Sequence, residues 1–177
     1  MKCHATLIAT ALVLSAAAGA RAADVPAAAI DTAATHVRAL NPAGIALVAN
    51  AREKSATVRD LAHTLDSSNL VAYVQVTPLP KFGPESGLIF IGASAAQRFV
   101  MVSVSSDVSA ERQMELLGHE LLHATDVART SWVTSDTQFQ TLMSLVGWRD
   151  VTRSTGYETG AATAIERQVR KEIAHGR

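Results

Sequence analysis

The sequence predicts an α+β fold, a short antiparallel sheet of about three strands packed on helices. Three observations point to it. Runs rich in β-branched residues cluster between residues 70 and 104, helical periodicities occupy the stretches on both sides, and proline and glycine mark the joins. With 177 residues, 48% hydrophobic and 18% charged, the chain can bury one core and is short for two full domains. One domain over residues 23–177 is therefore expected, behind a segment of a different kind.

That segment, residues 1–22, reads as a cleaved signal peptide. Lys2 precedes an apolar run from Ala5 to Ala20, and Ala20, Arg21 and Ala22 form the small-x-small pattern that signal peptidase cleaves after. The run is rich in Ala and Thr and somewhat short of the roughly 18 residues a membrane anchor needs. An exported protein beginning at Ala23, periplasmic or secreted and not held in the membrane, is the expectation. The only cysteine, Cys3, lies in the removed segment and not in a lipobox-like position, so disulfides and thiol chemistry are excluded. Sixteen basic and sixteen acidic residues balance, and loss of Lys2 and Arg21 leaves about minus two. Nothing in that balance attracts nucleic acid or an anionic membrane. The basic cluster Arg167, Arg170, Lys171 and Arg177 reads as the solvated face of a helix.

Residues 23–42, Ala-rich with Pro26 and Pro42, suit an extended, loosely packed lead-in. From residue 44 to 65 apolar side chains recur at helical spacing, and Ser55, Ala56 and Thr57 mark a break with a new N-cap, giving two helices or one kinked helix. Residues 70–76 form a strand stopped by Pro78 and Pro80, and residues 88–91 form another after Gly83, Pro84 and Gly87. A third strand over 98–104 is expected to pair with the second as a hairpin. Candidate caps from Ser105 to Ser109 then open a helix over 111–129, in which Gly118 is the single glycine and proline is absent. Residues 139–146 make a further helix before Gly147. A terminal helix over 157–173 carries Ala161, Ala162, Ile165, Val169 and Ile173 on one stripe.

The chemistry sits in the 111–129 helix, in the string His119, Glu120, Leu121, Leu122, His123. Residues four apart project from one helix face, one turn apart, so the two imidazoles can grip one metal ion. Glu120 lies beside His119, placed to act as a general base toward a water on that ion. Zinc with three protein ligands keeps a fourth position for water and lowers its pKa from about 16 toward about 7. The carboxylate takes the proton and later passes it to a leaving amine.

The third ligand is not local. Asp126 shares a face with His123, yet a continuous helix carries it about 10 Å along the axis from His119, too far to meet an ion about 2 Å from each donor. It reads as a residue supporting the ligands or facing solvent. Glu158, early on the terminal helix and in line with an apolar stripe, is the expected third ligand, because a carboxylate there is costly unless it meets a metal or a charge. Glu166 is the fallback, its simpler reading being an ion-pair partner of Arg170 at helical spacing. Tyr157 can polarise a scissile carbonyl, although a tyrosine at a helix start is more often packing. His36, His63 and His175 lack ligand-like neighbours.

With His119, Glu120 and His123 as a first motif and Glu158 followed by Ala161 as a second, residues 98–173 resemble the gluzincin class of zinc metallopeptidases. The resemblance implies a zincin-like domain, a Zn2+ cofactor, and a strand running along the substrate cleft, here residues 98–104. The chain departs from several gluzincins at Ala162, where they carry an Asp that supports a histidine ligand. The expected activity is hydrolysis of peptide bonds in peptide or protein substrates, with amides of cell-wall peptide a further possibility. The competing reading is a non-catalytic zinc-binding domain with a structural or interaction role, which a fourth protein ligand such as Asp126 or Glu166 would favour.

Overall fold

The structure is a computed structural model and describes residues 35–81, 83–149 and 157–176. The expected signal peptide and most of the Ala-rich lead-in lie outside the described residues. Val37–Ala39, expected to belong to that loosely packed lead-in, forms strand β1, and helix α1 (Pro42–Lys54) follows directly. Pro42 opens the helix rather than interrupting it, since a first-turn position needs no N–H, and Asn41 caps the turn by accepting from the Gly44 amide. Ser55 ends α1 and starts α2 (Ala56–Asp66), its side chain accepting from the Val58 amide, so the expected break and cap are both present.

Strands β2 (Leu70–Thr77), β3 (Ser86–Ala93) and β4 (Arg98–Ser105) match the expected segments, and β3 pairs antiparallel with β4. The sheet as a whole departs from expectation. It has four strands in the order β1-β2-β4-β3, and β2 pairs in parallel with both β1 and β4, so it is mixed rather than antiparallel. The β3–β4 hairpin docks by its second strand, which leaves β4 paired on both sides and β3 at the edge. Burial agrees with this order: Leu70, Val71, Ala72 and Val74 of β2 and Val100, Val102 and Val104 of β4 are fully buried, as a sheet interior requires.

Helix α3 (Ala110–Arg129), capped by Ser109, packs on the sheet and against α1, α2 and α5 (Gly160–His175). The core is continuous from Leu47, Val58 and Leu65 through the strand valines to Leu117, Leu121 and Val169. Arg98 anchors the far end of α3, donating to the Val127, Ala128 and Thr130 carbonyls while holding Asn69. It thereby satisfies helix-end acceptors that would otherwise be stranded in the interior.

Between α3 and α5 the chain forms α4 (Asp136–Val146) and two short strands, β5 (Trp148–Arg149) and β6 (Tyr157–Glu158), which pair antiparallel. The terminal helix therefore begins at Gly160 with Thr159 as its cap, later than the periodicity suggested. Tyr157 and Glu158 belong to a strand and not to that helix. No helix among the described residues is long and apolar enough to cross a membrane.

Candidate metal centre

Helix α3 brings His119 and His123 to one buried face, 5% and 4% exposed. Their Nε2 atoms face each other at 3.2 Å, with ring centroids 4.9 Å apart. Two donors each about 2.0–2.1 Å from one tetrahedral ion would stand about 3.3 Å apart, so the spacing is that of a chelate. Glu158 reaches the same point from β6, its Oε1 3.1 Å from His119 Nε2. The three donor atoms lie within 4.8 Å of one another, and they form the one group of metal-ligand type among the described residues.

Two glycines make that convergence possible. A Cβ on Gly118, beside His119, would stand 2.8 Å from Val169 Cγ2 and 3.5 Å from Ile165 Cγ2, so the bare backbone lets α5 lie close against α3. A Cβ on Gly147 would meet the Glu158 carbonyl oxygen at 2.5 Å and Thr159 at 3.1 Å. Gly147 ends α4, and Trp148 then pairs with Glu158, so the β5–β6 ladder fixes the backbone of the third candidate ligand.

Electrostatics suit a cation. Burial pushes the His123 imidazole down to about 4, His119 adds to the shift, and Glu158 opposes it, which keeps His123 in the neutral form that ligates metals. Burial also acts to lower the pKa of His119, but contact with Glu158 and the charges of Glu120, Glu158 and Glu166 outweigh it and raise the value. A proton on His119 balances carboxylates that a divalent ion would balance in its place. His123 Nδ1 is buried with no hydrogen-bond partner among the described residues.

Glu120, 5% exposed, stands next to the histidines, and its Oε1 accepts a hydrogen bond of 2.7 Å from Ser86 Oγ on β3. Ser86, itself 4% exposed, is a residue that sequence reasoning missed. Nothing in the one-dimensional pattern marks it, since the strand containing it was expected to begin at residue 88. The site opens on a cleft of about 300 Å3 lined on one side by Ser86, Leu88 and Ile89 and on the other by Phe139, Met143 and Tyr157.

Other expectations resolve differently. Asp126 does not join the donor group, and burial raises its carboxyl pKa against a smaller opposing effect of Arg129. Glu166 bonds to Arg112 and Arg170, and its second oxygen lies 3.5 Å from His119 Nδ1, so it approaches the histidine from behind rather than from the metal side. The residues 98–104 strand does not run along the cleft. Both of its edges are used, by β2 and β3, and the strand on the cleft is β3. Comparison with known protein families, with curated proteins and with solved structures finds no match for this chain.

Proposed function

We propose that this protein is an exported zinc-dependent metallopeptidase of gluzincin type and zincin-like architecture. The observation that carries the reading is the chelate-spaced pair His119 and His123, met by Glu158 and flanked by the buried carboxylate of Glu120 on the wall of an open cleft. Two imidazoles and one carboxylate are a donor set suited to Zn2+ that leaves a coordination position for a non-protein ligand. Zinc bound there would act as a Lewis acid toward the scissile carbonyl and make a water it holds more acidic.

The chain's own residues divide the remaining work. Glu120 takes the proton of the attacking water and delivers it to the departing amine, and Ser86 holds one of its oxygens in place. Tyr157, half-buried on the cleft, is placed to donate to the oxyanion as the carbonyl becomes tetrahedral. The edge strand β3 has main-chain groups to offer an extended peptide, and Leu88, Phe139 and Met143 give an apolar wall for one of its side chains.

A purified protein should carry about one equivalent of zinc by elemental analysis. Glu120→Gln should keep that zinc and lose hydrolysis of a fluorogenic peptide mixture by about 10²-fold or more, the range for a removed general base. Retained hydrolysis in this variant would reject the catalytic role. The competing reading, a closed structural zinc site, needs a fourth protein ligand, and no further donor joins the three among the described residues.

A further inference from the structure

Behind His119, on the side of the ring away from His123, lies a charged network that the proposed reaction does not use. Arg112 of α3 is its hub. The guanidinium bonds to Glu85, on the residue before β3, at 2.9 Å, to Glu115 at 3.1 Å, and to Glu166 of α5. Arg170 closes the ring, bonding to Glu115 at 2.8 and 2.9 Å and to Glu166 at 3.3 Å. Both arginines take the same Glu166 oxygen, Oε1, and this leaves Oε2 directed at His119 Nδ1, 3.5 Å away. That nitrogen is buried and has no hydrogen-bond partner among the described residues.

We infer that Glu166 is a positioning residue for the metal centre, accepting the Nδ1 proton of His119 so that the Nε2 lone pair faces the ion, with Arg112 and Arg170 fixing the carboxylate. The inference rests on the metal-binding reading of His119, His123 and Glu158. An imidazole that gives one nitrogen to a metal carries its proton on the other, and that proton needs a buried acceptor. The gap of 3.5 Å is about 0.6 Å longer than a charge-assisted N–H···O bond, and a modest turn of either side chain closes it. Ala162, where the gluzincin resemblance leads to an acidic support for a histidine, has no carboxylate to take this role. Gly118 allows it, because α5 can deliver Glu166 only while Val169 and Ile165 sit directly on the glycine. It also links the edge strand to both halves of the site, through Glu85 and Arg112 to His119 and through Ser86 to Glu120.

The test is zinc affinity, measured by competition with a chromophoric chelator, for the full chain and three variants. Glu166→Gln keeps the volume and an amide oxygen for the arginines, and it should weaken zinc by about 10- to 100-fold, the usual effect of losing such a partner. Glu166→Ala should weaken it at least as much. Glu115→Gln removes one carboxylate from the network but leaves both arginine bonds to Glu166 in place and does not touch His119, so it should lower the melting temperature while leaving zinc affinity within about twofold, less than the smallest of those losses. Glu166→Gln binding zinc like the parent, or Glu115→Gln losing as much affinity as Glu166→Gln, would overturn the inference and leave the metal site standing. A parent protein that binds no zinc would overturn both. In a zinc-loaded crystal structure the Nδ1 to Oε2 distance should fall to about 2.9 Å, the length of a charge-assisted bond.

Discussion

Helix α3 and the stretch from Gly147 to Glu166 supply the same cluster by opposite means. The helix delivers His119, Glu120 and His123 through its own 3.6-residue repeat, within one continuous capped element buried on most of its faces. The later stretch delivers Glu158 and Glu166 through contacts between distant parts of the chain: a two-residue ladder, a glycine that lets a carbonyl approach, and a second glycine on α3 that admits α5. The first region is hard to misplace, because hydrogen bonds every four residues hold its geometry. The second is placed by packing and ion pairs between separate segments, and removing one close approach moves a ligand without unfolding a helix. The site should therefore fail in two distinguishable ways.

The largest effect belongs to the helix. His123→Ala should abolish stoichiometric zinc binding at micromolar concentrations in equilibrium dialysis, whereas Glu158→Ala should leave weak binding by the histidine pair. Equal losses in the two variants would erase the contrast between the regions. Next comes Gly147→Ala, whose methyl would stand 2.5 Å from the Glu158 carbonyl oxygen. Backbone cannot yield as a side chain can, so β6 must shift. A stability loss of about 1–3 kcal/mol in urea titration and weaker zinc binding should appear, with helical circular dichroism unchanged.

Gly118→Ala is expected to do less. Its methyl meets a side chain, Val169 Cγ2, at 2.8 Å, and a strain of about 1–3 kcal/mol is partly offset by about 1 kcal/mol of improved helix propensity. A net loss near 1 kcal/mol with reduced zinc affinity should be reversed by adding Val169→Ala. Failure of that rescue would mean that α5 is not set by this contact.

The smallest effect lies away from the centre and serves as a control. Glu172 of α5 accepts from Ser55, the α2 cap, and from Thr57, and so ties the junction of α1 and α2 to the terminal helix. Burial acts to raise its pKa, but hydrogen bonds from Ser55, Gln168 and Thr57 outweigh it and hold the carboxyl below its usual value. Its stabilisation is therefore present above a pH of about 4.3, the ordinary glutamate pKa, and is lost as pH falls through the lowered value. Glu172→Gln should cost about 1 kcal/mol at neutral pH, discounted for partial exposure. The two proteins should converge in acid, and zinc affinity should not change.

The elements most legible in the sequence are those whose signals are local. Ser55 is legible as a cap because a hydroxyl at the start of a helix accepts from the amide three residues on, and the cap at Ser109 and the strand cores of β2, β3 and β4 follow from similarly short-range rules. The histidine pair and Glu120 were legible for the same reason, as consecutive turns of one helix. The apolar stripe marks Glu158 but not its setting, which is a strand and not the terminal helix. Thr159 caps α5, and a cap residue looks like helix until the turn after it is seen. Ser86, the edge position of β3, the parallel pairing of β2 and the seat of Glu166 carry no signal within a short window. Strand order depends on which hydrogen-bonding edge is free once the core has closed, and a carboxylate's role depends on the groups packed around it. The helices, the strands and the paired imidazoles follow from the order of residues alone, because each rests on contacts within about one turn or one pleat. The strand order and the choice of carboxylates that meet the histidines are set in the folded molecule, because they come from packing between segments far apart in the chain.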